Sequence, residues 1–142
     1  MLYNTLVEIT LEPIGTPDVK IQVGEQVVHT QLDTEFTFKF NKELAAGPLK
    51  ITVEMLNKSD TDGTTAVIVK DITLNGITDQ KIAWSGVYYP NYPKRWASTQ
   101  SNLKQSIVAA TYLGWNGVWE LDIAVPVFTW IHQTRGLGWI FD

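Results

Sequence analysis

Hydrophobic and polar residues alternate with a period of two along the first half of the chain. Apolar side chains take every second position in five segments: residues 7–11, 19–23, 36–40, 49–55 and, less cleanly, 66–74. One apolar face and one polar face are typical of a half-buried antiparallel strand. The stretches between these segments are rich in Pro, Gly, Asn and Asp, as turns are. The pattern therefore predicts at least five antiparallel strands joined by loops.

The fifth segment carries two further signals. Lys70 falls on the same side as Ile68 and Ile72, which predicts a bulge or a change of facing at that point. The segment ends at Asn75-Gly76, a dipeptide that favours a tight turn.

The pattern after residue 80 is more broken. Residues 118–123 and 125–131 alternate as strands do, and Asn116-Gly117 predicts the turn of a hairpin. Helices are predicted only for the short segments 101–110 and 128–133. Many short strands spaced about 8–12 residues apart indicate a sandwich or barrel. We therefore predict an all-β chain, a single antiparallel β-sandwich of jelly-roll type over residues 1–142, with long aromatic-rich loops.

Composition changes near residue 80. All six tryptophans and four of the five tyrosines follow that point, while most of the acidic residues precede it. The aromatic part is either a separate subdomain or the rest of the same sandwich. The alternation over residues 118–131 favours the second interpretation.

Composition also excludes several classes of protein. The chain has no cysteine, so disulfides, a thiol nucleophile and a Cys-ligated zinc site are excluded, and its only histidines are His29 and His132. A net charge of −4 argues against a nucleic-acid partner. No apolar run approaches the about 20 residues that span a bilayer, so we expect no membrane partner. The first residues show no secretory signal, which predicts synthesis in the cytoplasm.

One loop has the composition of a calcium site. The run Asn57-Lys58-Ser59-Asp60-Thr61-Asp62-Gly63 places hard oxygen ligands close together beside a glycine. It lacks the bidentate Glu that would complete an EF-hand. The alternative is a turn in which Asn and Asp side chains bond their own backbone.

Residues 19–77 resemble the calcium-dependent xylan-binding type of carbohydrate-binding module. The resemblance is carried by a Val-Gly-Glu hairpin at 23–25, an Ala-Gly turn at 46–47, the Asn-Asp loop at 57–63 and the closing Asn-Gly at 75–76. It implies a jelly-roll sandwich that binds glycan. It also implies a calcium ion held by Asn57, Asp60, Asp62 and Asp71. The Gly-Gly-Asp-Arg-Asn stretch of that family is replaced here by Gly63-Thr64-Thr65-Ala66.

The segment 84–96 concentrates aromatic rings around two prolines. Such rings stack on sugars, bind proline-rich peptides, anchor protein interfaces or pack on their own loop. Pro90 and Pro93 hold the segment extended and predict that it is not an inner strand.

A second resemblance covers nearly the whole chain. The segments Tyr-Pro-Asn-Tyr (89–92) and Asn-Gly-x-Trp-Glu-Leu-Asp-Ile-x-Val-Pro (116–126) are similar to a pattern in small virion proteins of tailed phages, particularly phages of cyanobacteria. This resemblance implies a structural protein of the virion, in capsid decoration or the tail, with other virion proteins as partners. A homo-oligomer is expected. The interface anchors we expect are Tyr88, Tyr89, Tyr92, Trp96, Trp130, Trp139 and Phe141.

Glu120 and Asp122 share one face of a predicted strand, about 7 Å apart. Glycosidases use carboxylate pairs at comparable distances, but no groove is indicated, so a solvated strand face is favoured. The resemblance to phage proteins therefore implies a non-enzymatic virion protein, located in the virion. The alternative is a calcium-dependent carbohydrate-binding module that recognises a host-surface glycan. No cofactor is predicted except that calcium.

Overall fold

A computed structural model of the chain describes residues 1–59, 61–101 and 103–133, without the side chains of Arg95 and Trp96. This part of the chain forms mainly strands, with three short helices. The strands are β1 (Leu2–Ile14), β2 (Asp18–Val23), β3 (Gln26–Gln31), β4 (Phe36–Ala45), β5 (Gly47–Leu56), β6 (Ala66–Leu74), β7 (Ile77–Thr78), β8 (Val87–Pro90), β9 (Ile107–Val108), β10 (Tyr112–Leu113) and β11 (Gly117–Val125). The helices are α1 (Gln80–Trp84), α2 (Lys94–Ala97) and α3 (Val127–Gln133).

The strands form two antiparallel sheets that pack face to face. The first sheet has the order β10-β6-β1-β4, with β7 paired to β6, and the second has the order β3-β2-β5-β11-β8-β9. Apolar side chains from both inner faces fill the space between the sheets, among them Ile9, Ile21, Val53 and Trp119, all fully buried. The predicted all-β sandwich is confirmed. No helix in the described part of the chain is long and apolar enough to cross a membrane.

The bulge predicted at Lys70 is confirmed by the pairing of β6 with β1. Asp71 pairs with Thr10 and Val69 pairs with Leu11, so Lys70 is the extra residue between them. The bulge lets Val69 and Ile72, three residues apart, both face the core. The turn predicted after β6 is also confirmed, since Asn75 and Gly76 both have positive φ, at 49° and 86°.

The hairpin predicted at Asn116-Gly117 is wrong. β10 pairs with β6 in the first sheet, whereas β11 pairs with β5 and β8 in the second, so the chain crosses between sheets here. Gly117 is required for another reason. At its φ of 155°, a Cβ atom would lie 2.4 Å from the Tyr89 carbonyl oxygen. The glycine therefore permits close approach of two strands rather than a tight turn.

The prediction of a strand over residues 125–131 is wrong as well. β11 ends at Val125, and residues 127–133 form α3. Val127 and Ile131 are its buried residues, four apart as one face of a helix requires. The helix predicted over 128–133 is thereby confirmed, and the one over 101–110 is wrong. Residues 107–108 of that segment form β9, the edge of the second sheet.

Residues 87–90 of the aromatic segment form an inner strand, contrary to the prediction from its prolines. β8 lies between β11 and β9. β9 pairs only with Val87 and Tyr88, so Pro90 lies beyond its reach. The missing N–H of Pro90 therefore costs no ladder bond on that side.

Candidate functional site

A polar recess of about 290 Å³ lies at one end of the sandwich, where β2 begins and β3 and β5 end. Its walls come from the turn before β2, the end of β3 and the loop after β5. Its polar residues are Thr16, Asp18, Gln31, Asn57, Lys58, Ser59, Asp62 and Thr65. We refer to this feature as the recess.

Asn57 and Asp18 form one wall of the recess. Asn57 follows the end of β5 and has a φ of 62°, a left-handed conformation that asparagine tolerates better than most residues. Its Nδ2 donates to Asp18 Oδ2 at 2.6 Å, and Asp18 Oδ1 lies 2.9 Å from His29 Nε2. Asp18 therefore ties the loop after β5 to the neighbouring strands β2 and β3.

Asp62 folds the loop back on itself. Its Oδ1 accepts from the backbone N–H of Thr64 at 2.9 Å and of Thr65 at 3.0 Å, and from the Thr64 hydroxyl at 3.3 Å. Its Oδ2 accepts from the Thr65 hydroxyl. These bonds hold the pKa of Asp62 well below its usual range, the Thr65 hydroxyl most of all. Asp62 thus shows the self-bonded turn that was the alternative to a calcium site.

The structure does not bring all the expected calcium ligands together. Asn57 and Asp62 both line the recess. Asp71 lies on β6, five residues after the strand begins, which is about 16 Å along the sheet. Asp60 lies outside the described residues. Among residues 1–59, 61–101 and 103–133, no three His, Asp or Glu side chains are grouped as a metal would need.

The described residues therefore do not fit a calcium ion, which takes six to eight oxygen ligands. Calcium binding stays a prediction of the sequence. Asp18 is a recess residue that the sequence analysis missed. It stands at the start of a strand, 39 residues before Asn57, and only the pairing of β2 with β5 brings the two together.

Two aromatic rings adjoin the recess, and we call Tyr92 and Trp115 the aromatic corner. Lys58 connects them to the recess, since its Nζ lies 5.1 Å from the centroid of the Trp115 ring and donates to the Gly114 carbonyl at 2.6 Å. The ring of Tyr92 meets that of Trp115 edge to face, with centroids 6.1 Å apart. Asn116 also fixes this corner to the loop, by two hydrogen bonds to the backbone of Lys58.

Tyr88 supports the aromatic corner from inside the sandwich. Its hydroxyl donates to the Trp115 carbonyl and accepts from the Trp115 N–H. The ring is only 2% exposed because it faces inward from β8, and burial raises the pKa of its phenol to about 12. Of the expected interface anchors, Tyr88 is thus packed inside this chain.

The other expected anchors differ in position. Tyr89 faces outward from β8 and is 44% exposed, whereas Tyr92 and Trp130 are half-buried. Trp139 and Phe141 lie outside the described residues, and so does the side chain of Trp96. A role for these residues in an interface stays a prediction.

Glu120 and Asp122 lie on the outer face of the second sheet. Lys50 Nζ is 3.5 Å from Glu120 Oε2 and 3.9 Å from Asp122 Oδ1. The three residues form the solvated strand face that the sequence favoured.

No protein-family model and no curated protein matches this chain. Among solved structures, the chain is similar to vCBM60 in complex with galactobiose. The identity is 21%, the TM-score is 0.51, and the match covers 83% of this chain and 99% of that one. The likeness agrees with the β-sandwich fold.

Proposed function

We propose that this protein is a non-catalytic carbohydrate-binding module, with its glycan seated in the recess against the aromatic corner. The observation that carries the proposal is the junction of these two surfaces at Lys58. Sugars present hydroxyl groups that need donors and acceptors, together with apolar ring faces that need flat partners. The recess offers hydrogen-bond donors and acceptors, and the aromatic corner offers flat apolar rings.

The fold supports this proposal. The protein to which this chain is similar, vCBM60, is a carbohydrate-binding module in complex with galactobiose. The carboxylates on the second sheet also favour binding over hydrolysis. A glycosidase needs its two carboxyl groups on either side of the scissile bond, whereas Glu120 and Asp122 lie side by side on one sheet face next to Lys50.

The comparisons lend no support to a virion structural role. Glycan recognition is therefore the better supported of the two functions that the sequence suggested. Both functions share the expectation that the protein performs no catalysis.

Isothermal titration calorimetry tests the proposal. Galactobiose and a xylo-oligosaccharide serve as probes, and a broad oligosaccharide array extends the search. Trp115→Ala removes the stacking surface, and Asn57→Gly removes a recess amide while keeping the left-handed backbone. We expect each to weaken binding about tenfold or more, equivalent to about 1.4 kcal/mol.

Phe128→Ala is the matched control. Phe128 is a 49% exposed ring that lines a separate hollow with Asn75, at the opposite end of β6 from the recess loop. Its removal should leave the affinity unchanged. Absence of binding to every glycan on the array, or equal losses in Phe128→Ala and Trp115→Ala, would overturn the proposal.

A further inference from the structure

We infer that the loop of the recess is closed by protein hydrogen bonds in place of a cation, so that the recess binds its glycan without calcium. The second half of this inference rests on the proposed function. The first half concerns the loop alone and holds whatever the recess binds.

The hydrogen bonds of Asp62 are the main observation. Four donors from Thr64 and Thr65, two backbone N–H groups and two hydroxyls, converge on its two carboxylate oxygens. Together they present positive dipole ends to the carboxylate, which is the electrostatic role that a bound cation would play. A calcium ion bound to Asp62 Oδ1 would have to displace some of these donors, because three of the four converge on that oxygen.

The polar groups of the wall formed by Asp18 and Asn57 also bond within the protein. Asp18 uses one carboxylate oxygen for the Asn57 amide and the other for His29. The Asn57 side chain turns its nitrogen to Asp18 in this arrangement. Two acidic side chains of the recess, Asp18 and Asp62, are thus each held through both oxygens by groups of the protein.

The sequence accounts for the difference from a calcium-dependent loop. Thr64 and Thr65 stand where the calcium-dependent pattern has another stretch, and they supply all four donors. Thr65 is the more important of the two because its hydroxyl and its N–H reach different oxygens of Asp62.

Thermal unfolding of the full chain tests loop closure. We expect the Tm to be the same in excess calcium and in excess EDTA, because an ion that does not bind the folded protein cannot shift its Tm. Thr65→Val keeps the shape of the side chain and removes the hydroxyl. It should lower the Tm by about 3 °C, the shift expected for one lost hydrogen bond in a chain of this size, and calcium should not restore it.

Thr34→Val is the control variant. Thr34 is an exposed threonine between β3 and β4 whose hydroxyl makes only a 3.5 Å contact with the Glu35 carbonyl. The Tm of Thr34→Val should match that of the wild type. A Tm that rises with calcium and falls with EDTA, or a saturable calcium site in calorimetry that Asp62→Asn abolishes, would overturn the inference.

Glycan titrations with calcium and with EDTA separate this inference from the proposed function. Equal affinity in the two buffers supports both the inference and the proposed function. Binding that needs calcium contradicts the inference and leaves the proposed function standing. If no glycan binds, while the Tm is unchanged by calcium and is lowered in Thr65→Val, only the proposed function is contradicted.

Discussion

At the scale of single residues, the ring of Trp119 fills the space where a side chain of residue 86 would lie. A Cβ atom on residue 86 would lie 2.3 Å from the indole ring. The ring cannot withdraw easily because it is fully buried and its Nε1 donates to the Ala110 carbonyl at 3.1 Å. Residue 86 must therefore lack a side chain.

We expect Gly86→Ala to lower the free energy of unfolding by about 1–3 kcal/mol, the usual cost of overpacking a core. Urea denaturation followed by tryptophan fluorescence measures the change. Gly63→Ala is the control, since nothing lies within 4 Å of the Cβ it adds. Equal losses in the two variants would show that the contact with Trp119 is not the cause.

The hydrogen bonds of Asp62 predict how the stability of the protein depends on pH. These bonds to Thr64 and Thr65 lower the pKa of the folded state below the value of about 3.9 for an unfolded aspartate. The folded state is thus stabilised above about pH 4, and this contribution is lost as the pH falls further.

Chemical denaturation of the wild type and of Asp62→Asn at several pH values between 6 and 2.5 measures this contribution. The wild type should be the more stable protein near pH 6. The difference should shrink steadily below pH 4, because the Asp62 carboxylate of the unfolded chain becomes protonated there while that of the folded chain stays ionised. A difference that does not change with pH would contradict this explanation.

At the scale of elements, the bulge in β6 predicts which deletions the sheet tolerates. Removing Lys70 would leave Val69 and Asp71 adjacent, in register with Leu11 and Thr10. Only exposed contacts are lost, chiefly the ion pair of Lys70 with Glu35 at 3.1 Å, which contributes little because both side chains are about half exposed.

We therefore expect the Lys70 deletion to unfold cooperatively, with a Tm close to that of the wild type. Deleting the buried Val69 instead moves Lys70 to a core-facing position, and that variant should fail to fold. Circular dichroism during thermal unfolding distinguishes the two. Similar damage from both deletions would show that the bulge residue is as necessary as its neighbours.

The long elements could be predicted from the sequence and the short ones could not. β1, β2, β5 and β6 are long enough for alternation to reveal which face is buried. β9 and β10 have two residues each, too few to show a period. The segment after Val125 alternates by chance, and the helical spacing of Val127 and Ile131 is equally present in it.

At the scale of the whole molecule, the recess is an assembly of distant segments. Loop composition was enough to indicate Asn57 and Asp62, because asparagine and aspartate cluster there in sequence. It was not enough to indicate Asp18, which reaches the recess only through strand pairing. Nor could it show that Tyr88 faces the core while Tyr89 faces solvent, since both rings are apolar and adjacent.

The same assembly explains how the two halves of the chain cooperate. The acidic first half supplies the recess, and the aromatic second half supplies Trp115 and Tyr92 beside it. Lys58 and Asn116 join the two surfaces through hydrogen bonds that cross from one half to the other. A glycan that touches both surfaces would therefore depend on residues more than 50 positions apart.

The most direct test of this account is a titration of the isotopically labelled chain with galactobiose, followed by amide and indole NMR shifts. The account predicts saturable shifts concentrated at Asn57, Lys58 and the Trp115 indole, with Phe128 unaffected. Shifts concentrated around Phe128 and Asn75 instead, with the recess and the Trp115 indole unchanged, would contradict it.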